Sequence, residues 1–309
     1  MKKTVISRML FLIMNTLFMV FEGNCQTAQI YFKKGIEKDS LKDFHGAIEA
    51  FSKAIKIDPK FSIAYLYRGE TKSYIKDDNG AIADYTKAIE IDPTNSEAYF
   101  SRGMSKGILE DNNGAIIDFT KAIEIDPKNF YSYYNRGRAK GSLDDYKGAM
   151  ADFSKAIEID PNQSDAYFNR ALLKNDLQDT RGAISDLSKA IEIDPTAIDY
   201  YYRGTLRSAL QDNKGAMADY FKTIEIDPTF SDAYFNRGVL KNDLNDYYGA
   251  IADYSKTIEL NPKNEKAYFN RGILRIKSGQ KESGCMDLSK AGELGSDEAY
   301  EAIKQLCNQ

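Results

Sequence analysis

Between Ala28 and Gly295 one pattern of residues returns eight times, and its clearest copy runs from Ser96 to Asn129 as SEAYFSRGMSKGILEDNNGAIIDFTKAIEIDPKN. The closing prolines Pro59, Pro93, Pro127, Pro161, Pro195, Pro228 and Pro262 step by 34 residues, as do the alanines Ala47, Ala81, Ala115, Ala149, Ala183, Ala216 and Ala250. Both series lose one residue at the same place, between Asp194 and Tyr200. A fixed period of this length makes each copy one supersecondary unit whose apolar face is buried by its neighbours. The chain is therefore expected to fold as a solenoid, not around a single central core.

Inside each copy the apolar residues fall at helical spacing in two runs divided by a polar turn. The turn carries Asp43, Asp77, Asp111, Asp145, Asp179, Asp212 and Asp246 at one equivalent position, where an Asp can cap the second helix by accepting its free N–H groups. That helix then runs into an Asp-Pro or Asn-Pro step, and the proline disfavours helical geometry in the residue before it. Gly103 and its equivalents, with Ala115 and Ala122, leave little between the paired helices and allow their backbones to approach closely.

Tyr99-x2-Arg102-Gly103-x2-Lys106, then Ala115-x3-Phe119, then Pro127, resembles the tetratricopeptide repeat (TPR) pattern W-x2-L-G-x2-Y, A-x3-F, P. Here the Trp is Tyr in every copy, the usual Leu and Tyr are Arg and Lys, and the Gly is Ala171 in the fifth copy. The eighth copy lacks the closing proline and has Gly284 in place of the alanine. The resemblance, to bacterial secreted TPR proteins in particular, implies an all-α, right-handed superhelical solenoid of eight helix-turn-helix repeats with a C-terminal capping helix. The boundaries are about 28–61, 62–95, 96–129, 130–163, 164–196, 197–230, 231–264 and 265–295, with the cap at 296–309. In the cap, Ala299, Ile303, Leu306 and Cys307 form one apolar stripe. The deletion at Pro195-Thr196 is read as a local change in stacking.

A charge ladder runs through the copies. Arg68, Arg102, Arg136, Arg170, Arg203, Arg237 and Arg271 recur at one position, with Lys or Arg four residues later. Asp84, Asp118, Asp152, Asp186, Asp219, Asp253 and Asp287 recur in the second helix. Because each basic residue has an acidic counterpart at the same period, the ladder is expected to pair between helices and not to form a stripe for a polyanion.

The resemblance places the first helices on the concave face, where such proteins hold extended peptides or helices. One position there is nearly all aromatic: Phe32, Leu66, Phe100, Tyr134, Phe168, Tyr201, Phe235 and Phe269. The next is often Asn: Asn135, Asn169, Asn236 and Asn270. Asn donates and accepts together, which suits a peptide backbone, and the aromatics add apolar contact at little rotamer cost. The peptide-binding groove is accordingly expected to comprise Phe100, Tyr134, Asn135, Phe168, Asn169, Tyr201, Phe235, Asn236, Phe269 and Asn270. A clamp for a C-terminal carboxylate is not expected. The aromatic row takes that clamp's Lys position, and Ile36, Met104, Leu172 and Val239 take its Asn position.

Catalysis, cofactors and metals find no support in the residues. The one histidine, His45, sits in the first turn, no His/Cys/Asp cluster has metal spacing, and no glycine-rich loop follows a strand. The turns near Asp77 and Asp111 lack the alternating ligands of a calcium loop. The net charge of −4, or about −6 without residues 1–25, argues for solubility and against a nucleic-acid partner, and the resemblance implies a protein or peptide partner instead.

Residues 1–25 read as a secretory signal, with an uncleaved membrane anchor as the alternative: Lys2, Lys3 and Arg8, then the apolar stretch Met9–Phe21, too short to span a bilayer comfortably, leaving no transmembrane segment in the mature chain once cleaved. Gly23-Asn24-Cys25 suits ordinary cleavage, and acylation of Cys25 as a lipid anchor is the alternative. The mature chain is then exported, periplasmic or secreted. Cys285 and Cys307 remain, early in the last second helix and late in the terminal helix. In a TPR stack these places meet, so a bridge is one reading and two buried free thiols the other. The function expected is a non-enzymatic exported scaffold binding a peptide or protein along the groove. The alternative is a structural or assembly component of an envelope complex acting through its convex face, its ends or self-association.

Overall fold

The computed structural model describes residues 26–307, and within them the chain is a run of helices without a strand. The proposed signal segment 1–25, including Cys25, and the last two residues lie outside the described part. The described chain divides after Pro161 into two compact units.

The first unit holds four helix pairs. They are α1 (26–40) with α2 (Phe44–Ile57), α3 (Ser62–Tyr74) with α4 (Asp78–Ile91), α5 (Ser96–Ile108) with α6 (Asn112–Ile125), and α7 (Phe130–Gly141) with α8 (Tyr146–Ile159). The second unit holds α9 (Ser164–Asp176) with α10 (Thr180–Ile193), α11 (Ala197–Ala209) with α12 (Asn213–Ile226), α13 (Ser231–Asp243) with α14 (Tyr247–Leu260), α15 (Glu265–Lys277) with α16 (Lys281–Glu293), and a last helix α17 (Asp297–Leu306). Within a unit each first helix packs on its own partner and on the second helix of the preceding pair. This is an all-α repeat solenoid.

The turns work as local chemistry dictates. Asp111 Oδ1 accepts from Gly114 N at 2.9 Å, and the other six turn aspartates cap their helices in the same way. In the first seven pairs position three of the second helix is glycine, because a Cβ there would collide with the capping carboxylate. The residue before each cap lies in the left-handed region, for example Glu110 at φ 63° and Lys76 at φ 67°. At the other end Asp126 turns extended, φ −123° and ψ 90°, ahead of Pro127 and stops α6.

The core is a line of small residues and rings. Ala47, Ala81, Ala115, Ala149, Ala183, Ala216 and Ala250 are fully buried. Each first-helix glycine faces a ring or leucine of its partner helix, and a Cβ on Gly103 would stand 2.8 Å from Phe119 Cε1. In the fifth pair the glycine is Ala171, and there the ring is Leu187; both are buried in one cluster. The short loop at Thr196 leaves the flanking helices at their usual lengths. It starts α11 with a side-chain exchange: Thr196 Oγ1 accepts from Asp199 N at 3.3 Å and donates to Asp199 Oδ2 at 2.6 Å. Asp199 is buried at a place where the other copies carry alanine, serine or, in the first, Ile30, and burial pushes its carboxyl up while Thr196 opposes the shift.

The C-terminal helix α17 packs on α16. Ala299 is fully buried, Tyr300 OH donates to the Gly292 carbonyl at 3.1 Å, and Cys285 is bonded to Cys307 with Cα atoms 5.9 Å apart. Leu306, placed on the apolar stripe by spacing, is 37% exposed, because the helix ends there and nothing of the described chain covers it.

Candidate functional site: the first-helix face

The residues that cannot reach this face are those of the charge ladder. Asp84, Asp118, Asp152, Asp186, Asp219, Asp253 and Asp287 are nearly inaccessible, and each accepts from an Arg of its own pair and from a Lys or Arg one turn later. In at least five pairs the same Arg also donates from Nη1 to a Ser or Thr on the preceding pair, as Arg136 does to Thr120 at 3.1 Å. The Tyr three residues before each of these arginines lays its ring against the guanidinium, with Arg102 Cζ 5.7 Å from the Tyr99 centroid. The ladder is thus a joint between helices, with its charges neutralised where water is excluded.

The aromatic row and the asparagines lie on the opposite side of the first helices and are half-buried. In the first unit Phe100 packs against Phe119 at 5.8 Å between centroids. Tyr134 stacks on Phe130 at 5.7 Å and tilts against Phe153 at 5.8 Å. Arg138 sits 6.0 Å over the Tyr134 ring. In the second unit Phe168 meets Tyr202 at 5.5 Å, Tyr201 meets Phe230 at 4.8 Å, and Phe235 meets Tyr254 at 5.7 Å. Each ring therefore covers the core with one side and leaves part of itself on the face. Leu66 is the exception in the row, being completely covered.

The asparagines are less free than their spacing suggests. Asn135 Nδ2 donates to the Tyr131 carbonyl at 2.9 Å and Asn169 Nδ2 to the Asp165 carbonyl at 2.8 Å, each one turn back along its own helix. Asn236 Nδ2 donates to Tyr201 OH at 3.2 Å, across from α13 to α11. Phe235, Phe269 and Asn270 come together in one cleft of about 450 Å³ with Glu265, Lys266 and the start of α17 at Ser296–Glu298. The ten residues expected on the face are thus shared between the two units, with one defined cleft in the second.

Sequence reasoning missed a second cleft, in the first unit, of about 300 Å³, lined by Glu70, Ser73, Tyr74, Tyr85, Ser101 and Met104. Burial, with Glu97 and Asp39 nearby, pushes the Glu70 carboxyl up to about 7, and burial pushes the Tyr85 phenol up as well. The available signal was that Glu70 is the one acidic residue in a register otherwise filled by Ile36, Met104, Arg138, Leu172, Thr205, Val239 and Ile273. Among the described residues no group of three or more His, Cys, Asp or Glu could hold a metal ion, and no helix is long and apolar enough to cross a membrane.

A chain of paired helices joined in this way defines a class of repeat scaffold, and the comparisons agree with it. Tetratricopeptide repeat models match residues 28–61, 63–95, 84–116, 130–163, 164–196 and 231–264, together more than half of the chain. The chain belongs to the tetratricopeptide repeat family. No curated protein sequence matches it significantly. Among solved structures, the MamA protein is similar at 29% identity and TM-score 0.52, covering 55% of this chain and 92% of that one. YrrB, described as a TPR protein with an unusual peptide-binding site, is similar at 23% identity and TM-score 0.55, covering 60% and 97%. A TPR protein from Parabacteroides merdae is similar at 20% identity and TM-score 0.56, covering 79% and 96%.

Proposed function

We propose that the chain is an exported, non-enzymatic scaffold that binds an extended peptide segment of a partner protein on its first-helix faces. The observation that carries this reading is the second-unit cleft, where Phe235 and Phe269 offer ring surface beside the Asn270 amide. A mixed apolar and amide surface of this kind suits a peptide main chain with apolar side chains. The peptide-binding site of YrrB supports the reading by analogy of fold. Export is supported by the basic and apolar character of residues 1–25 and by the bond between Cys285 and Cys307, since such bonds persist in oxidising compartments. Cleavage after Cys25 suits the small residues there, and α17 acts as the cap of the repeat array.

The test is selection of random dodecapeptides displayed on phage against the wild-type chain and against a Phe269→Ala/Asn270→Ala variant of unchanged helicity. A group of peptides enriched by the wild type and no longer selected by the variant is expected. Equal enrichment on both, or none on either, rejects peptide binding at this cleft. The second reading, assembly through the outer face, is favoured by one feature, the exposed side chains Phe221 and Leu244 beside Met217 in the second unit. Self-association that is abolished by Phe221→Ser would support it.

A further inference from the structure

The cleft between α3 and α5 in the first unit holds a carboxylate that the fold leaves without a counter-ion. Each of the seven ladder aspartates has two cations within 2.9 Å or less, whereas among the described residues no ion pair or hydrogen bond reaches Glu70. The neighbouring polar groups are already engaged elsewhere. Ser73 Oγ donates to Asp78 at 2.8 Å, and Thr71 Oγ1 donates to Asp39 at 2.9 Å. The titratable groups around Glu70 are Asp39 on α1, Asp78 and Tyr85 on α4, and Glu97 on α5, and none of them is a cation. Holding an ionised carboxylate half-buried beside like charges is unfavourable, and an apolar residue in this register would relieve it, as Met104 does in the next pair.

The remaining walls fit a long aliphatic side chain with a charged end. Tyr74 is 67% exposed and presents its ring beside Met104 and the covered ring of Tyr85. A volume of about 300 Å³ is at the lower limit for a ligand pocket, so the cleft suits one side chain better than a whole small molecule. Methylene groups would lie on Met104 and the tyrosine rings, and the charged end would meet Glu70 with a tyrosine face beside it.

We propose that this cleft is a peptide-binding site on the first-helix face of the first unit, taking a lysine or arginine side chain of a bound segment, with Glu70 as its counter-ion. The proposal rests on the peptide-binding reading and adds to it the charge of the residue recognised. Binding of the cation supplies the partner that Glu70 lacks in the free chain. Asp39 and Glu97 add to the attraction at longer range.

The same displayed library separates the two readings. A group of the dodecapeptides selected on wild type is expected to share one Lys or Arg position, and selection on Glu70→Gln is expected to lose that preference while peptides still bind. For a synthetic peptide from the wild-type pool, norleucine in place of that residue should weaken binding by tenfold or more, and the same replacement should change little against Glu70→Gln. Wild-type affinity should also strengthen about tenfold from pH 6 to pH 8, as Glu70 ionises, and Glu70→Gln should show no such rise. Glutamine is close in shape and removes a buried charge, so the variant folds, which circular dichroism verifies. Selected peptides of which no group shares a cationic position, or a preference that survives in Glu70→Gln, would overturn this site while leaving peptide binding intact. No enrichment on either chain would overturn both.

Discussion

Arg102 holds Asp118 with two parallel bonds, Nε to Oδ2 at 2.9 Å and Nη2 to Oδ1 at 2.7 Å, and its third nitrogen, Nη1, reaches Thr86 on the preceding pair at 3.1 Å. One guanidinium thus fixes both the closing of its own hairpin and the seating of that hairpin on the one before. Lys106 Nζ completes the neutralisation of Asp118 at 2.8 Å. Asp118→Ala should strand both cations in a nearly dry joint and cost about 3–5 kcal/mol. Urea unfolding would give the loss, and hydrogen exchange should locate it in α5 and α6, because repeat stability is largely a nearest-neighbour property.

The joint at Arg237 lacks its third bond. Its Nε and Nη2 bind Asp253 at 2.9 and 2.7 Å, but the residue in the place of Thr86 is Phe221, which stands 58% exposed. Phe221→Ser should give Arg237 Nη1 an acceptor and raise stability by about 1 kcal/mol, seen as a higher Tm. An unchanged or lower Tm would mean that Phe221 packs in a way that offsets the missing bond.

Gly103 and Phe119 should behave as a coupled pair. An added Cβ meets the ring at 2.8 Å, so Gly103→Ala should destabilise by about 1–3 kcal/mol through overpacking. Adding Phe119→Leu copies the Ala171 and Leu187 arrangement and should recover much of that loss. A double-mutant cycle with no coupling would reject the steric account.

Glu70 should make stability fall with pH. Its folded value of about 7 lies above its ordinary 4.5, so between these pH values the folded chain binds a proton that the unfolded chain has released. The stability that protonation provides is present below about pH 4.5 and is lost as pH rises through about 7. Relative to Glu70→Gln, the wild type should therefore lose roughly 1–2 kcal/mol across this window, a figure reduced for the solvent that reaches this half-buried group. Denaturant titrations of both chains at pH 4.5, 6 and 7.5 would check the sign.

The bond between Cys285 and Cys307 ties α17 to α16. Cys307→Ser, or reduction, should cost roughly 3 kcal/mol by the loop-entropy account. The loss should be read as faster hydrogen exchange in α17, with α15 and α16 affected less and the first unit unchanged.

Much of the helix architecture was legible because local rules repeat. Asp111 before Gly114 announces a cap, Pro127 announces a stop, and Arg102 with Asp118 keeps one spacing through seven of the eight copies, so an error in one repeat is corrected by the others. The left-handed residue before each cap, such as Glu110, was not legible, since Lys, Glu, Asp, Gln and Asn fill it in turn and none carries the signature of that geometry. The face was legible only in part. Phe235 and Asn236 stood out by register, but spacing could not show that Asn135 and Asn169 spend their donors on their own helices.

The sequence by itself determined the period, the two-helix character of each repeat, the neutralisation of the Arg row by the Asp row and the family, because each of these depends on residues at fixed separation along the chain. Only the tertiary structure decided which members of a register position are covered, as Leu66 is, and which line a cleft, as Glu70 does. Burial is a sum over side chains from several helices, and the shapes of Tyr74, Tyr85 and Met104, not the identity of residue 70, set how much water its carboxylate keeps.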